Sequence, residues 1–461
     1  MQAPASPASP AAAPGLRRVL RLQDLVLYGI IVIQPVAPMS VFGVLSERGQ
    51  GHVVTALLIA MVAMLLTGLS YGRMASAYPN AGSAFTYVAR EIHPGLGWLT
   101  GWGMVMDYVF NPLICTIWCS QQAHTFLPVI PLWGWKVIFA ATFTLLNLRG
   151  VHTSARLNTF LAAGMGLVVV VILGAGVAHL ARTGPHPAGF LTRPFYDPAT
   201  FRLDAVFGCT SIAVLTYIGF DGISTLSEEV ENPRRNVLLA TVLTCFAIGL
   251  LAAVEVYLAQ LIWPASEPFP NVDTAYVAVA GRAWAPLLGV VGLTLLVANL
   301  GSGLGAHLGA ARLLYGMGRS GALPRRFFGE VHPASGVPHW NVLLVGALVL
   351  TGSHLVSFGT GAELLNFGAL LAFMGVNAAA FTRFYLRASH RRLRDALAPL
   401  GGFLICLGLW LNLGPAAILG GAGWMTAGLV YGAWRTRGFT RPLQFDEPNP
   451  SASGAKSPVV G

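Results

Sequence analysis

Charge is scarce in this chain: Asp, Glu, Lys and Arg together make up 10% of 461 residues, and lysine occurs only as Lys136 and Lys456. So few charges cannot clothe a water-soluble globule that is 55% hydrophobic with a mean hydropathy of +0.65, which excludes soluble enzymes and leaves a polytopic membrane protein. Cysteine is also rare. Cys115, Cys119, Cys209, Cys245 and Cys406 all fall in apolar stretches, so no disulfide framework is expected. Cys115 and Cys119 stand one helical turn apart but lack nearby His or carboxylate partners, and neither a metal site nor a cofactor is implied. The first 15 residues, rich in Ala, Pro and Ser, lack a charged n-region and run into a full-length span, which argues against a cleaved signal peptide. No His, Ser and Cys cluster of catalytic type converges near one membrane face, and no soluble output domain is present, so neither an enzyme nor a sensor is expected.

Hydrophobic stretches of about 20 residues fit a ~30 Å hydrocarbon core, and about twelve can be placed. They begin near Asp24, His52, Gly95, Trp133, Ser154, Leu203, Val237, Pro286, His339, Ala362, Pro399 and Pro415. The formal charge of +10 does not call for nucleic acid, because the basic residues follow the loops. With the N-terminus cytoplasmic, only Arg48, Lys136, Arg182, Arg193, Arg202 and Arg282 fall outside, and every other Lys or Arg falls inside. That asymmetry predicts both termini in the cytoplasm.

Two spans are interrupted in their middles, at Gln34-Pro35-Val36-Ala37-Pro38 and at Tyr217-Ile218-Gly219-Phe220-Asp221-Gly222. In hydrocarbon a helix unwinds only where a cavity, ion or ligand satisfies the freed backbone. Matched interruptions in two halves point to a transporter binding site. Spans one to five and six to ten overlay as two units, and an odd number of spans per unit makes the second inverted relative to the first. The expected division is a disordered tail 1–21, a first repeat 22–181, a second repeat 203–387, two further spans in 396–435 and a tail 436–461. The last two spans are assigned to packing or oligomer contacts.

The stretches IQPVAPMSVFG with GHVVTAL, YPNAGSAFTYV, DYVFNPL, GFDGISTLSEEVENPRR, ARLLYGMGRSGALP and NFGALLAF resemble those of the amino acid–polyamine–organocation permeases, from about Leu22 to Arg435. Within that family the motifs are similar to those of putrescine importers. The resemblance implies an all-α, leucine-transporter-type fold of 5+5 inverted repeats with discontinuous helices 1 and 6. Spans one, three, six and eight would then surround a midplane site.

At the first break, Gln34, Pro35, Val36, Ala37 and Pro38 are candidate substrate contacts. Each proline removes a donor and clashes one turn back, so carbonyls face the cavity. Many amino acid permeases of the family carry a Gly-rich break here that holds a substrate carboxylate. Two prolines cut that supply of amides and favour a mainly cationic substrate, the alternative being a plain proline kink. At the second break, Thr216, Tyr217, Ile218, Gly219, Phe220 and Asp221 are candidates. Gly219 permits non-helical backbone, Tyr217 and Phe220 offer aromatic faces to an ammonium group, and Asp221 needs a substrate amine or a proton as partner at membrane depth. The family resemblance also implies an acidic coupling residue there, and the plainer alternative is a cap on the second half-helix.

Asp107 and Tyr108 in span three and Asn299 and Ser302 in span eight complete the candidate site. Glu228 and Glu229, before Asn232-Pro233-Arg234-Arg235, suit an inner gate together with Asp221. Glu255 sits among apolar neighbours, where it either faces another helix or carries protons. Lone His307 fits hydrogen-bonded structure better than a shuttle, and Gly301, Gly305 and Gly309 fit close packing. Span five contains no lysine of the kind that some proton-coupled members of this fold carry, and the sodium-ligating pattern is not evident either, so proton coupling is the default expectation. Membrane potential adds about 2.3 kcal/mol per charge per 100 mV. The expected function is alternating-access import of a small cationic amine such as putrescine across the cytoplasmic membrane, with an amino acid permease or exchanger as the alternative.

Overall fold

A computed structural model describes residues 20–78, 83–150, 155–227, 230–264, 266–319, 321–332 and 336–438. The described residues form helices α1 (Leu22–Ile33), α2 (Ala37–Gly49), α3 (Val53–Ala77), α4 (Ser83–Glu91), α5 (Pro94–Phe126), α6 (Leu132–Leu148) and α7 (Ala155–Thr183). They continue with α8 (Leu203–Ala213), α9 (Gly222–Thr225), α10 (Pro233–Ile262), α11 (Ala275–Ala283), α12 (Leu287–Arg319) and α13 (Arg325–Phe328). The last are α14 (His339–Leu355), α15 (Phe358–Phe381), α16 (Leu393–Leu411) and α17 (Pro415–Thr436). A 3-10 turn, Val214–Tyr217, follows α8, and a π-helical turn, Thr382–Leu386, follows α15.

Local chemistry sets many of the boundaries. Proline opens α5, α10 and α17, where its missing N–H costs nothing. His93 accepts from the Gly95 N–H at the start of α5, and Ser357 accepts from the Thr360 N–H at the start of α15. The span expected to begin at Pro399 begins earlier, at Leu393, and carries Pro399 inside its second turn.

Among the described residues, eight helical stretches are long and apolar enough to cross a membrane, and the bent pair α1–α2 makes a ninth. α5 has 33 residues but is not among these apolar stretches, and α6 and α14 have 17 residues each. Burial separates the inner helices from the outer ones. The apolar window of α15 is 78% buried against 22% for α7 and α17, so α15 lies at the centre with α3, α5 and α10. α7 and α17 present Phe160, Leu167, Val170, Leu419 and Val430 outward, as expected of a lipid-facing surface.

α16 and α17 are fastened to this core. Trp102 and Trp424 stack at 4.8 Å, and each indole N–H donates to the other residue's carbonyl, at 2.8 and 3.0 Å. Trp98 Nε1 donates to Gly428 O at 2.9 Å. Just past the end of α15, Arg383 and Arg387 both pair with Glu91 of α4, which also accepts from Tyr78.

Candidate functional site

Both interruptions are present as breaks in the backbone. α1 and α2 meet at 47°, with Gln34 in the left-handed region at φ 69. Pro35 has no N–H to return to Ile31, and the Ala37 N–H turns to Gln34 O at 3.1 Å instead of reaching Ile33. The Ile31 and Ile33 carbonyls are thereby released beside the cavity that these residues line.

The second break is built differently. α8 tightens into the 3-10 turn, then Gly219 takes φ 120, and α9 resumes for a single turn. The tightening withdraws α-helical partners from the last carbonyls of α8, and Asn366 of α15 donates to two of them, Ser211 O at 2.8 Å and Ile212 O at 3.1 Å. Gly219 lies against the first break: a Cβ there would stand 2.9 Å from Val32 Cγ1 and 3.6 Å from Ile33 N. Only glycine tolerates both the φ and the approach.

Where the breaks meet, a cavity of about 500 Å³ opens, with walls from α1, α2, α5, α7, the second break, α12 and the start of α15. Its polar lining includes Gln34, Ser40, Asp107, Tyr108, Asn111, Asp221, Asn299 and Ser302, with Tyr28 at one end. Lys, Arg and His are absent from its lining residues. Asp107 and Asp221 are both partly accessible, and each lies within the other's electrostatic reach. Asp221 precedes α9 but makes no side-chain cap bond into it; its carboxylate lies against the backbone of Gly219 and Gly222.

Several side-chain donors in the wall are already engaged. Gln34 Nε2 donates to Ala298 O at 3.1 Å, and Asn299 Nδ2 donates to Ser40 Oγ at 3.0 Å and to Leu295 O at 2.9 Å. Ser302 Oγ donates to Asn111 Oδ1 at 3.3 Å. These bonds strap α12 to the first break and to α5. Beside the Tyr28 and Tyr108 hydroxyls and the Asn111 amide, the cavity offers a ligand the two carboxyl groups of Asp107 and Asp221.

Of the residues expected at the site, the cavity gathers Gln34, Ala37, Asp107, Tyr108, Ile218, Gly219, Asp221, Asn299 and Ser302. The structure turns the others away. Pro35, Val36 and Pro38 are buried behind the break and shape its backbone. Thr216 Oγ1 donates to Ala213 O within its own turn. Tyr217 is fully buried, its hydroxyl donating to Leu57 O of α3 at 2.9 Å. Phe220 packs edge-on to Tyr71 and tilted against Phe373. Neither aromatic face is open to an ammonium group. Glu228 and Glu229 lie outside the described residues; their neighbour Glu231 pairs with Arg21, and its N–H donates to Leu20 O, joining the entry of α1 to the segment after α9.

Sequence reasoning missed Tyr28, Ser40, Asn111 and Asn366. Asn111 sits four residues after Asp107 on one helix, a spacing that puts both on one face. Ser40 stands one turn beyond Ala37 on α2. Asn366 lies within the quoted NFGALLAF stretch, but no spacing signal marks it as the support of a distant break.

The family model for amino acid permeases matches residues 37–434. The chain belongs to the amino acid permease family. This permease is 35% identical to the low-affinity putrescine importer PlaP of Escherichia coli K12 over 444 residues, covering 94% of this chain and 97% of that protein. It is 27% identical to the vacuolar cationic amino acid transporter 4 of Arabidopsis thaliana, over 78% of this chain and 62% of the relative. It is 25% identical to the branched-chain amino acid permease BcaP of Bacillus subtilis, over 90% and 92%. With its apolar spans, the permease is a multi-pass membrane protein whose family transports small molecules.

Proposed function

We propose that this permease imports a small diamine of the putrescine class by alternating access around the cavity between the two breaks. The observation that carries the proposal is electrostatic: Asp107 and Asp221 line the cavity, and basic side chains are absent from its lining. Two carboxylates at membrane depth are costly unless paired. A dication compensates both, whereas a zwitterion would bring its own carboxylate beside them. The freed carbonyls of Ile31 and Ile33 extend the preference for a donor-rich ligand. The similarity to a putrescine importer over nearly the whole chain supports the same substrate class.

The membrane arrangement belongs to this proposal. Twelve spans are reached by adding α5, α6 and α14 to the nine apolar ones, with two inverted units opened by α1–α2 and by α8–α9. The distribution of arginine supports both termini in the cytoplasm and residence in the cytoplasmic membrane. Protons are the proposed coupling ion, and membrane potential adds drive in proportion to substrate charge. A second reading, transport or exchange of an amino acid, is favoured by the similarity to transporters named for cationic and branched-chain amino acids.

Uptake of labelled putrescine into proteoliposomes, with an imposed inside-negative potential and competition by amino acids, separates the two. Saturable, potential-driven uptake that no amino acid competes supports the diamine. Transport of an amino acid without putrescine uptake overturns it.

A further inference from the structure

Glu255 of α10 is completely buried, and neither of its carboxylate oxygens has a hydrogen-bond partner. It does not line the cavity. Among the described residues, no charged side chain on the elements packed against α10 reaches it. Tyr276 of α11 is the one titratable group within its electrostatic range, and that hydroxyl donates to the Glu255 main-chain oxygen at 3.4 Å. The other ionisable groups at this end have different contacts: Arg48 of α2 pairs with Glu363, Glu47 of α2 and Lys136 lie within electrostatic range of Asp273 before α11, His52 before α3 contacts Gly49 and Asp197, and Arg282 of α11 pairs with Glu267. His179 and Arg182 lie at the outer end of α7, and Asp221 lies at the cavity. An isolated carboxylate in such surroundings would cost several kcal/mol or more. A neutral carboxyl, carrying its proton, avoids that cost.

Its position gives that proton a use. The Tyr276 ring packs edge-on to Phe42 of α2 at 5.5 Å, and Phe42 also meets Phe269 at 5.8 Å. Beside it, α2 is seated so closely that a Cβ on Gly43 would lie 1.9 Å from Val272 O. α2 also carries Ala37, Ser40 and Val41 into the cavity wall. The α2–α11 contact thus joins a helix of the cavity wall to the helix whose Tyr276 meets Glu255.

We propose that Glu255 is a proton-binding site outside the substrate cavity, and that its protonation seals the contact between α2 and α11. Parting that contact admits water to Glu255 and allows it to ionise. By linkage, loss of the proton favours parting and gain of the proton favours closure. The inference deepens the proton-coupled reading of this permease, but it can be tested without any substrate.

The test uses the full-length protein in lipid vesicles. Infrared spectroscopy of the parent is expected to show the C=O stretch of a protonated carboxyl free of hydrogen bonds, and Glu255→Gln is expected to remove it. A reporter thiol at Val272→Cys, beside the Gly43 contact, is then alkylated across a pH series. Glu255→Gln supplies the baseline for the thiol's own ionisation. Above that baseline, the Glu255 protein should label faster as pH rises, by up to about tenfold per pH unit, the slope that one linked proton imposes. Glu255→Asp should keep the pH dependence, which separates a lost proton site from a damaged fold. A band that survives Glu255→Gln, or equal pH profiles with and without the carboxyl, overturns the proposal. Neither readout involves putrescine, so failure here is distinct from failure of the substrate assignment.

Discussion

The two helix breaks reach the same cavity by opposite chemistry. The first is made by prolines, which delete donors and release the carbonyls of Ile31 and Ile33. The second is made by Gly219, which keeps its donor and bends through a conformation closed to other residues, with Asp221 following it. One break offers main-chain oxygen, the other a carboxyl group. Both offer acceptors, and the wall between them has already engaged the side-chain donors of Gln34, Asn299 and Ser302. The proposed diamine would meet acceptors from both breaks.

The breaks should respond differently to substitution. The largest effect falls on the charged one: Asp221→Asn leaves the substrate ammonium without its counter-charge, a loss of about 3 kcal/mol for a buried pair. Putrescine uptake should drop roughly 100-fold at unchanged expression. Gly219→Ala forces a Cβ to 2.9 Å from Val32 at φ 120 and should cost about 1–3 kcal/mol in thermal unfolding. Pro35→Ala restores the N–H that engages the Ile31 carbonyl. It should weaken uptake several-fold, about 1 kcal/mol, while stabilising the fold. Tyr217→Phe removes only the bond to Leu57 and should cost about 1 kcal/mol of stability with substrate affinity unchanged.

The Glu91 cluster provides a contrast remote from both breaks. Burial raises the Glu91 carboxyl, but hydrogen bonds from Tyr78 and Arg383 and the charges of Arg383 and Arg387 more than offset this and hold it below the usual glutamate range. Its stabilisation is therefore present above that range and is lost as pH falls through it. Glu91→Gln should flatten the acid side of the stability curve without changing substrate selectivity.

The location of the cavity was legible because breaks and intramembrane acids are conspicuous against an apolar background. Gln34, Asp107, Asp221, Asn299 and Ser302 all announce themselves by polarity, and all line the cavity. The facing of Tyr217 and Phe220 was not legible. Helical periodicity assigns faces only while the helix continues, and the 3-10 turn followed by Gly219 resets the rotation of both side chains. Asn366 escaped notice for a related reason: its partners lie 155 and 154 residues away, and only the tertiary fold brings them together. Glu255 was visible as an acid among apolar residues, but its isolation from every partner required the packed structure.

The most direct test of the paired-acid account is equilibrium binding of putrescine to the purified permease, compared between the parent, Asp107→Asn and Asp221→Asn. The account predicts that each variant loses most of the affinity and that a monoamine of similar length binds the parent far more weakly than the diamine. Undiminished diamine binding by both variants would contradict it, and so would equal affinity of the parent for the monoamine.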